Sequence, residues 1–381
     1  MSRSEQVREA ERRAGEAFSD RAGRDARTVG VTVVLDGESV SVGELGARIA
    51  AKRSREERAW LAQRRDELLA AGAGLHLDRL AAMRDAARAV VPGDYVRAWS
   101  EISGFDHDAL AADGARFLAG TRDLLREAAA WERRRCPEIP QKGDLAEHDV
   151  LRLLRAEPLD GPLSPERLHA ALERMGIESG GDAAELRGLE LWRGRLEDVA
   201  HERFAAEDEG RDRSVACGWA ATLGLLPADG VWLRRSARLE GPELESVRRS
   251  AAFAALVDMR FAIARLGHEL RVHRDQVDLR ATWIEDASDA LGARCPGGDY
   301  ASVVEPGLVV AHRIRGAALE AALSEHLRSR FDEDWFHNPR TAPHVADLFA
   351  DRERSGEALA RILGGAIDLD RLAPRFEKLL E

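Results

Sequence analysis

Glu197, His201 and Glu202 fall within one ten-residue stretch, LEDVAHERFA (residues 196–205), and all three are side chains that ligate zinc or move protons. Two imidazoles on one helix share an ion only when they lie on one face, as positions i and i+4 do in H-E-x-x-H. With Glu197 in the glutamate place of that pattern, the two histidine places hold Leu196 and Ala200. A second stretch, GHELRVH (residues 267–273), carries His268 and His273. Five residues separate them, about 140° around a helix, so they point apart and do not chelate one ion. Cys136, Cys217 and Cys295 are far apart, odd in number and form no C-x-x-C pair. That excludes a zinc ribbon or a disulfide framework and fits a reducing compartment. The glycine pairs at 180–181 and 297–298 lack the strand and helix that a phosphate cradle needs, and no nucleophile elbow is present.

The elements that would position these residues are mostly helical. Apolar residues recur at helical spacing, set among Arg and Glu three or four apart. The exception is TVGVTVVLDGESVSV (residues 28–42), where Val29, Val31, Val33 and Leu35 alternate ahead of Asp36-Gly37; it reads as a β-hairpin with a D-G turn. Two strands are marginal alone, so the hairpin must lean on helices. Ser54, with Glu57 three residues on, reads as a capping box opening a helix through Trp60, Leu61, Leu68 and Leu69. Further helices are predicted at about 78–90, 108–133 and 145–155. The breaker run EPLDGPLSPERL follows, in which Ser164-Pro165 is an N-cap and first-turn pair. After a loop at 178–182 come predicted helices at about 186–207, 213–226, 243–273, 276–292, 305–330, 342–350 and 355–363. Trp60, Trp99, Trp192 and Trp219 sit at helix-periodic positions and are expected in the core. The organisation implied is an N-terminal helix and hairpin (1–46), a helical lobe (47–155) and a longer helical region (156–381), packed as one body.

Composition narrows the function. The 381 residues are 44% hydrophobic and 33% charged, ordinary for a globular protein, and the net charge of −11 with no basic stripe argues against nucleic acid. The first residues lack the apolar run of a signal peptide, and no window approaches a membrane span, so a cytoplasmic protein is expected.

The tail AALEAALSEHLRSRFDEDWFHNP (317–339), followed by VADLFA and LGGAIDLDRLAPRF, resembles the thimet oligopeptidase and oligoendopeptidase F family of zinc metallopeptidases, the gluzincin type. In that family a long helix with an L-R-x-x-x-x-E-A-x-L pattern runs into R-F-G-x-x-W and an N-P turn. Ile314, Arg315, Glu320, Ala321, Leu323, Arg330, Phe331, Trp335, Asn338 and Pro339 fit it, while Asp332 replaces the usual glycine. The likeness is specific over the last 190 residues or so. It implies a mainly α oligopeptidase body with two lobes around a groove, to which the N-terminal hairpin is added.

The same resemblance lays the family's H-E-x-G-H-A-x-H-F-A over residues 196–205. Leu196 and Ala200 then stand at the two histidine ligands and Glu197 at the general base. The third ligand, a glutamate, falls on Cys217 within SVACGWA, and the two substrate-steadying tyrosines fall on Val309 and Arg313. One thiolate does not replace two imidazoles and a carboxylate, and without the ion Glu197 has no polarised water to deprotonate. No metal or other cofactor is therefore expected, and Glu197 is expected to pair with an arginine such as Arg193 or Arg203. His201 would form a nucleophile with Cys217 only if an oxyanion site existed, and none is apparent; an inert Cys217 is the expectation. His201, Val309, His312 and Arg313 are candidate groove-lining residues, the last two suited either to bind a carboxylate or to close the groove by salt bridges. The implied function is a pseudoenzyme that holds a peptide, protein tail or small ligand. The alternatives are a hydrolase in a remodelled cleft and a scaffold subunit that associates with itself or with an active relative.

Overall fold

The computed structural model describes residues 3–22, 32–35, 38–91, 93–177, 187–204, 213–350 and 355–381, excepting the side chains of 3–4, 18–22, 32–35, 38, 201–204 and 349–350. In chain order its elements are α1 (Arg3–Ala22), β1 (Thr32–Leu35), β2 (Glu38–Ser41), α2 (Val42–Ala51), α3 (Arg55–Val90), α4 (Tyr95–Ser103), α5 (His107–Gly120), α6 (Arg122–Arg135), β3 (Leu145–Ala146), α7 (Glu147–Arg155) and α8 (Pro165–Arg174). There follow α9 (Gly188–Phe204), α10 (Arg213–Gly224), α11 (Gly230–Arg235), α12 (Gly241–His273), α13 (Leu279–Leu291), β4 (Ala293–Arg294), α14 (Val309–Phe331), α15 (Thr341–Ala350), α16 (Gly356–Ile362) and α17 (Leu372–Leu380). The chain is mainly α, with a small antiparallel hairpin and one short parallel pairing of β3 with β4.

The chain divides into two compact units. The first comprises residues 1–118, 133–153 and 260–311, and the second residues 119–132, 154–259 and 312–381. Both therefore draw on separated parts of the sequence.

In the first unit β1 pairs with β2 so that Leu35 faces Glu38, which fixes a two-residue connection. The predicted Asp36-Gly37 turn lies outside the described residues, as does the loop at 178–182. Val40 carries the hairpin onto helices, packing with Leu45 and Ile49 of α2 and Leu61 of α3. Residue 42, read from sequence as strand, instead starts α2, with Ser41 at the end of β2 as its N-cap. Ser41 accepts from the Glu44 amide and the Glu44 carboxylate accepts from the Ser41 amide at 2.7 Å, a complete capping box. At α3, Ser54 accepts from the Glu57 amide at 3.3 Å.

The predicted break between residues 69 and 78 is absent: α3 runs unbroken for 36 residues. Gly72 and Gly74 lower helix propensity without preventing helix, and Ala73 between them is buried. The opposite correction applies at 108–133, which Thr121 splits into α5 and α6. Trp60 corrects another expectation, since it is 50% exposed on α3 with the Arg64 guanidinium 5.9 Å above its ring. Trp99, Trp192 and Trp219 are buried as expected.

In the second unit Trp192, Trp219 and Trp232 are among the largest fully buried side chains. The Trp192 indole meets Trp232 edge-on at 5.7 Å and donates to the Ser164 carbonyl at 3.2 Å, satisfying its buried N–H. Ser164 caps α8, accepting from the Arg167 amide with Pro165 at the first position.

Candidate functional site

The positions singled out by the sequence gather on α9, α10 and α14. Along α9, Trp192, Leu196 and Ala200 are spaced by four and form one stripe, each fully buried. The face that would carry two zinc-binding imidazoles is thus the core face of the helix. Its neighbour Glu197 is half-buried and lies against the end of α10, where a Cβ on Gly224 would come within 2.8 Å of the Glu197 Cγ and Oε1. Glycine there makes room for the carboxylate. Arg193, one turn earlier, donates to Asp258 at 2.6 Å. Burial opposes its charge, but the carboxylates of Asp258 and Glu197 outweigh this and hold its pKa above the ordinary value. Glu197 therefore acts within a charge pair of the helix surface, as expected for Arg193, although the direct hydrogen bond goes to Asp258. His201 lies on the last turn of α9, and its side chain is outside the described residues.

Cys217 is half-buried on α10 and abuts α14. A Cβ built on Gly316 would stand 2.4 Å from the Cys217 Cβ and 2.8 Å from the Gly218 amide nitrogen. A Cβ on Gly218 would in turn stand 3.0 Å from a Leu319 methyl. The two helices cross with backbones in contact, a closeness only glycine permits.

His312 and Arg313 are neighbours on α14 and so point about 100° apart. His312 is buried, and its Nδ1 is 3.2 Å from the buried Ser214 hydroxyl on α10. Arg315 donates from Nε to the same hydroxyl at 3.3 Å and pairs with Glu357 of α16. The Ser214 hydroxyl thus links His312 to Arg315. Ser214, Arg315 and Glu357 were not singled out as site residues; separations of 98 and 101 residues between the partners left no local signal. Arg313, by contrast, is exposed, and Val309 is half-buried.

The histidines of the second stretch engage different partners. His268 donates from Nε2 to the Tyr300 carbonyl at 2.6 Å, and burial pushes its pKa down to about 4. His273 stacks on Tyr95 at 4.2 Å, and burial, with Arg84 nearby, pushes it down to about 3. Both are neutral at pH 7. Among the described residues no group of three or more His, Cys, Asp or Glu side chains is arranged to hold a metal ion. Likewise, no helix among them is long and apolar enough to cross a membrane.

The motif residues of the tail have structural partners. Glu320 is buried and accepts from Ser324 at 2.6 Å and from Arg375 of α17 at 2.8 Å. Together with Arg315–Glu357, this ties α14 to both C-terminal helices. Asp332, where the resembling family has glycine, has φ +68°, the left-handed conformation that closes α14.

No protein-family model matches the chain, and no curated protein does. Among solved structures it is similar to the M32 carboxypeptidase from Deinococcus radiodurans R1, at 15% identity over 99% of this chain and 98% of that one, with a TM-score of 0.41. It is also similar to a carboxypeptidase of Pyrococcus furiosus, at 13% identity over 100% of this chain and 99% of that one, with a TM-score of 0.37.

Proposed function

We propose that this chain is a metallopeptidase-like protein without metal catalysis, and that it binds a carboxylate-bearing ligand such as a peptide or protein tail. The observation that carries the first part is the burial of Leu196 and Ala200 in one stripe with Trp192. Catalytic zinc needs about three protein donors and an open position, whereas these positions offer hydrocarbon turned into the core. Without an ion to polarise a water, Glu197, packed on Gly224 beside Arg193, would have no nucleophile to activate.

Arg313 supports the second part. It replaces a tyrosine in the resembling family, stands exposed, and makes no ion pair among the described residues. A guanidinium presents paired donors that match a carboxylate. The buried His312 next to it is engaged with Ser214 and serves to fix the start of α14.

The test uses the purified full chain. Peptide libraries with added zinc should show no cleavage. Thermal shift should rise with free-carboxylate peptides, not with their C-terminal amides, and the response should vanish in Arg313→Ala. Zinc-dependent turnover would overturn the first part, and equal shifts with acid and amide peptides the second.

A further inference from the structure

His326 and His344 stand apart from every residue considered so far. His326 lies on α14 and His344 on α15, and their Nε2 atoms are 2.9 Å apart. The rings are within 19° of parallel with centroids 5.2 Å apart. That separation is little more than the N···N distance plus one ring width, so the rings meet head-on. Two lone-pair axes therefore converge on one point, which holds at most one proton: if both Nε2 atoms were protonated, two N–H groups would face each other at hydrogen-bond distance.

We propose that His326 and His344 form a two-imidazole site for a transition-metal dication such as zinc or copper(II), remote from the family's catalytic positions. Imidazole nitrogen is a preferred donor for both ions. Metal–nitrogen bonds of about 2.0–2.1 Å at a tetrahedral angle place two nitrogens about 3.3 Å apart. The pair needs to open by only about half an ångström and pivot, which half-exposed side chains can do. Water fills the remaining positions.

The surroundings favour ligation. Burial, with His344 and Arg330 beside His326 and Arg330 beside His344, holds both histidines below their ordinary pKa, which favours the neutral form that ligates. Phe331 packs edge-on to His344 at 5.3 Å and limits its rotation. Asp347, exposed and three residues after His344, contributes negative charge to it. Arg330 opposes a cation, but its side chain is exposed and lies over Phe331 at 5.7 Å. When the neutral pair takes up the ion, the Nε2 proton moves to Nδ1 of the same ring through solvent, so no net proton is released.

Isothermal titration of the full chain with zinc chloride at pH 7.5 should give one ion per chain. His326→Ala and His344→Ala should each abolish that binding, and Asp347→Asn should weaken it by up to about tenfold. Lowering the pH to 5.5 should weaken it as protons compete. X-ray absorption of the zinc-loaded wild-type chain supplies a readout independent of the variants' folding, and should show nitrogen and oxygen ligands without sulfur. No saturable binding, or binding retained in both alanine variants, overturns the proposal. Sulfur in the shell overturns it too and points instead to Cys217, which would also challenge the proposed loss of the family's metal site.

Discussion

Asp332 shows how one side chain can stand at a left-handed backbone position. Its φ of +68° is open to glycine without steric penalty, and Asp is among the few other residues that tolerate it. Asp332→Gly should therefore leave urea-melting stability within about 1 kcal/mol of wild type, while a β-branched Asp332→Val should lose about 1–3 kcal/mol. Gly316 is a sharper case, because any Cβ there overlaps Cys217 and the following amide. Gly316→Ala should lose about 2 kcal/mol or more by prising α14 off α10, whereas Cys217→Ala should cost about 1 kcal/mol at most. If Gly316→Ala melts like wild type, the backbone contact between these helices is not as described. That the two H-E-x-x-H histidine places around Glu197 hold Leu196 and Ala200 was legible from spacing alone. Their burial was not, because amphipathic patterning on α9 is weak and both faces carry apolar residues.

At the scale of elements, α14 is held by titratable groups at its entrance and by buried charges along its length. Ahead of it, Glu269 accepts from the Glu305 amide at 3.1 Å, and the Tyr95 hydroxyl accepts from the Gly307 amide at 2.9 Å while donating to Glu11 at 2.6 Å. Gly307 and Leu308 take φ values of +77° and +51°, so this short segment depends on its clamps. Burial raises Glu269 and Glu11 from 4.5 to about 7, despite the charge of Arg265 beside the first and the hydrogen bond from Tyr95 to the second. Each carboxyl keeps its proton in the fold at pH values where the unfolded chain has lost it. Their stabilising contribution is therefore full below about 4.5 and is lost as the pH rises through about 7. Thermal melts of the wild type should fall across that window relative to Glu269→Gln, which removes one proton from the balance; identical profiles would contradict the assignment. Further along, Glu320→Ala leaves the half-buried Arg375 without its carboxylate and should cost about 1–3 kcal/mol, exposing α17 to proteolysis first. The helices themselves were readable from periodicity and caps, as at Ser164 and Ser54. The unbroken α3 was not, because glycine in a helix is disfavoured without being forbidden. Nor was the Ser214–His312–Arg315–Glu357 network, whose partners lie 42 to 101 residues apart.

For the molecule as a whole, both compact units recruit distant segments of the chain. The mainly α class followed from the sequence because helical spacing dominates it; the parallel β3–β4 pairing did not, being two residues on each side and 148 residues apart in Leu145–Ala293. Leu196, Ala200 and Cys217, as proposed above, do not grip an ion. The most direct measurement is anomalous scattering at the zinc edge from crystals of the full chain soaked in zinc chloride. It should find no peak between α9 and α10 near those three residues, whatever density it finds at His326 and His344. A full-occupancy zinc peak beside Cys217 would contradict the claim.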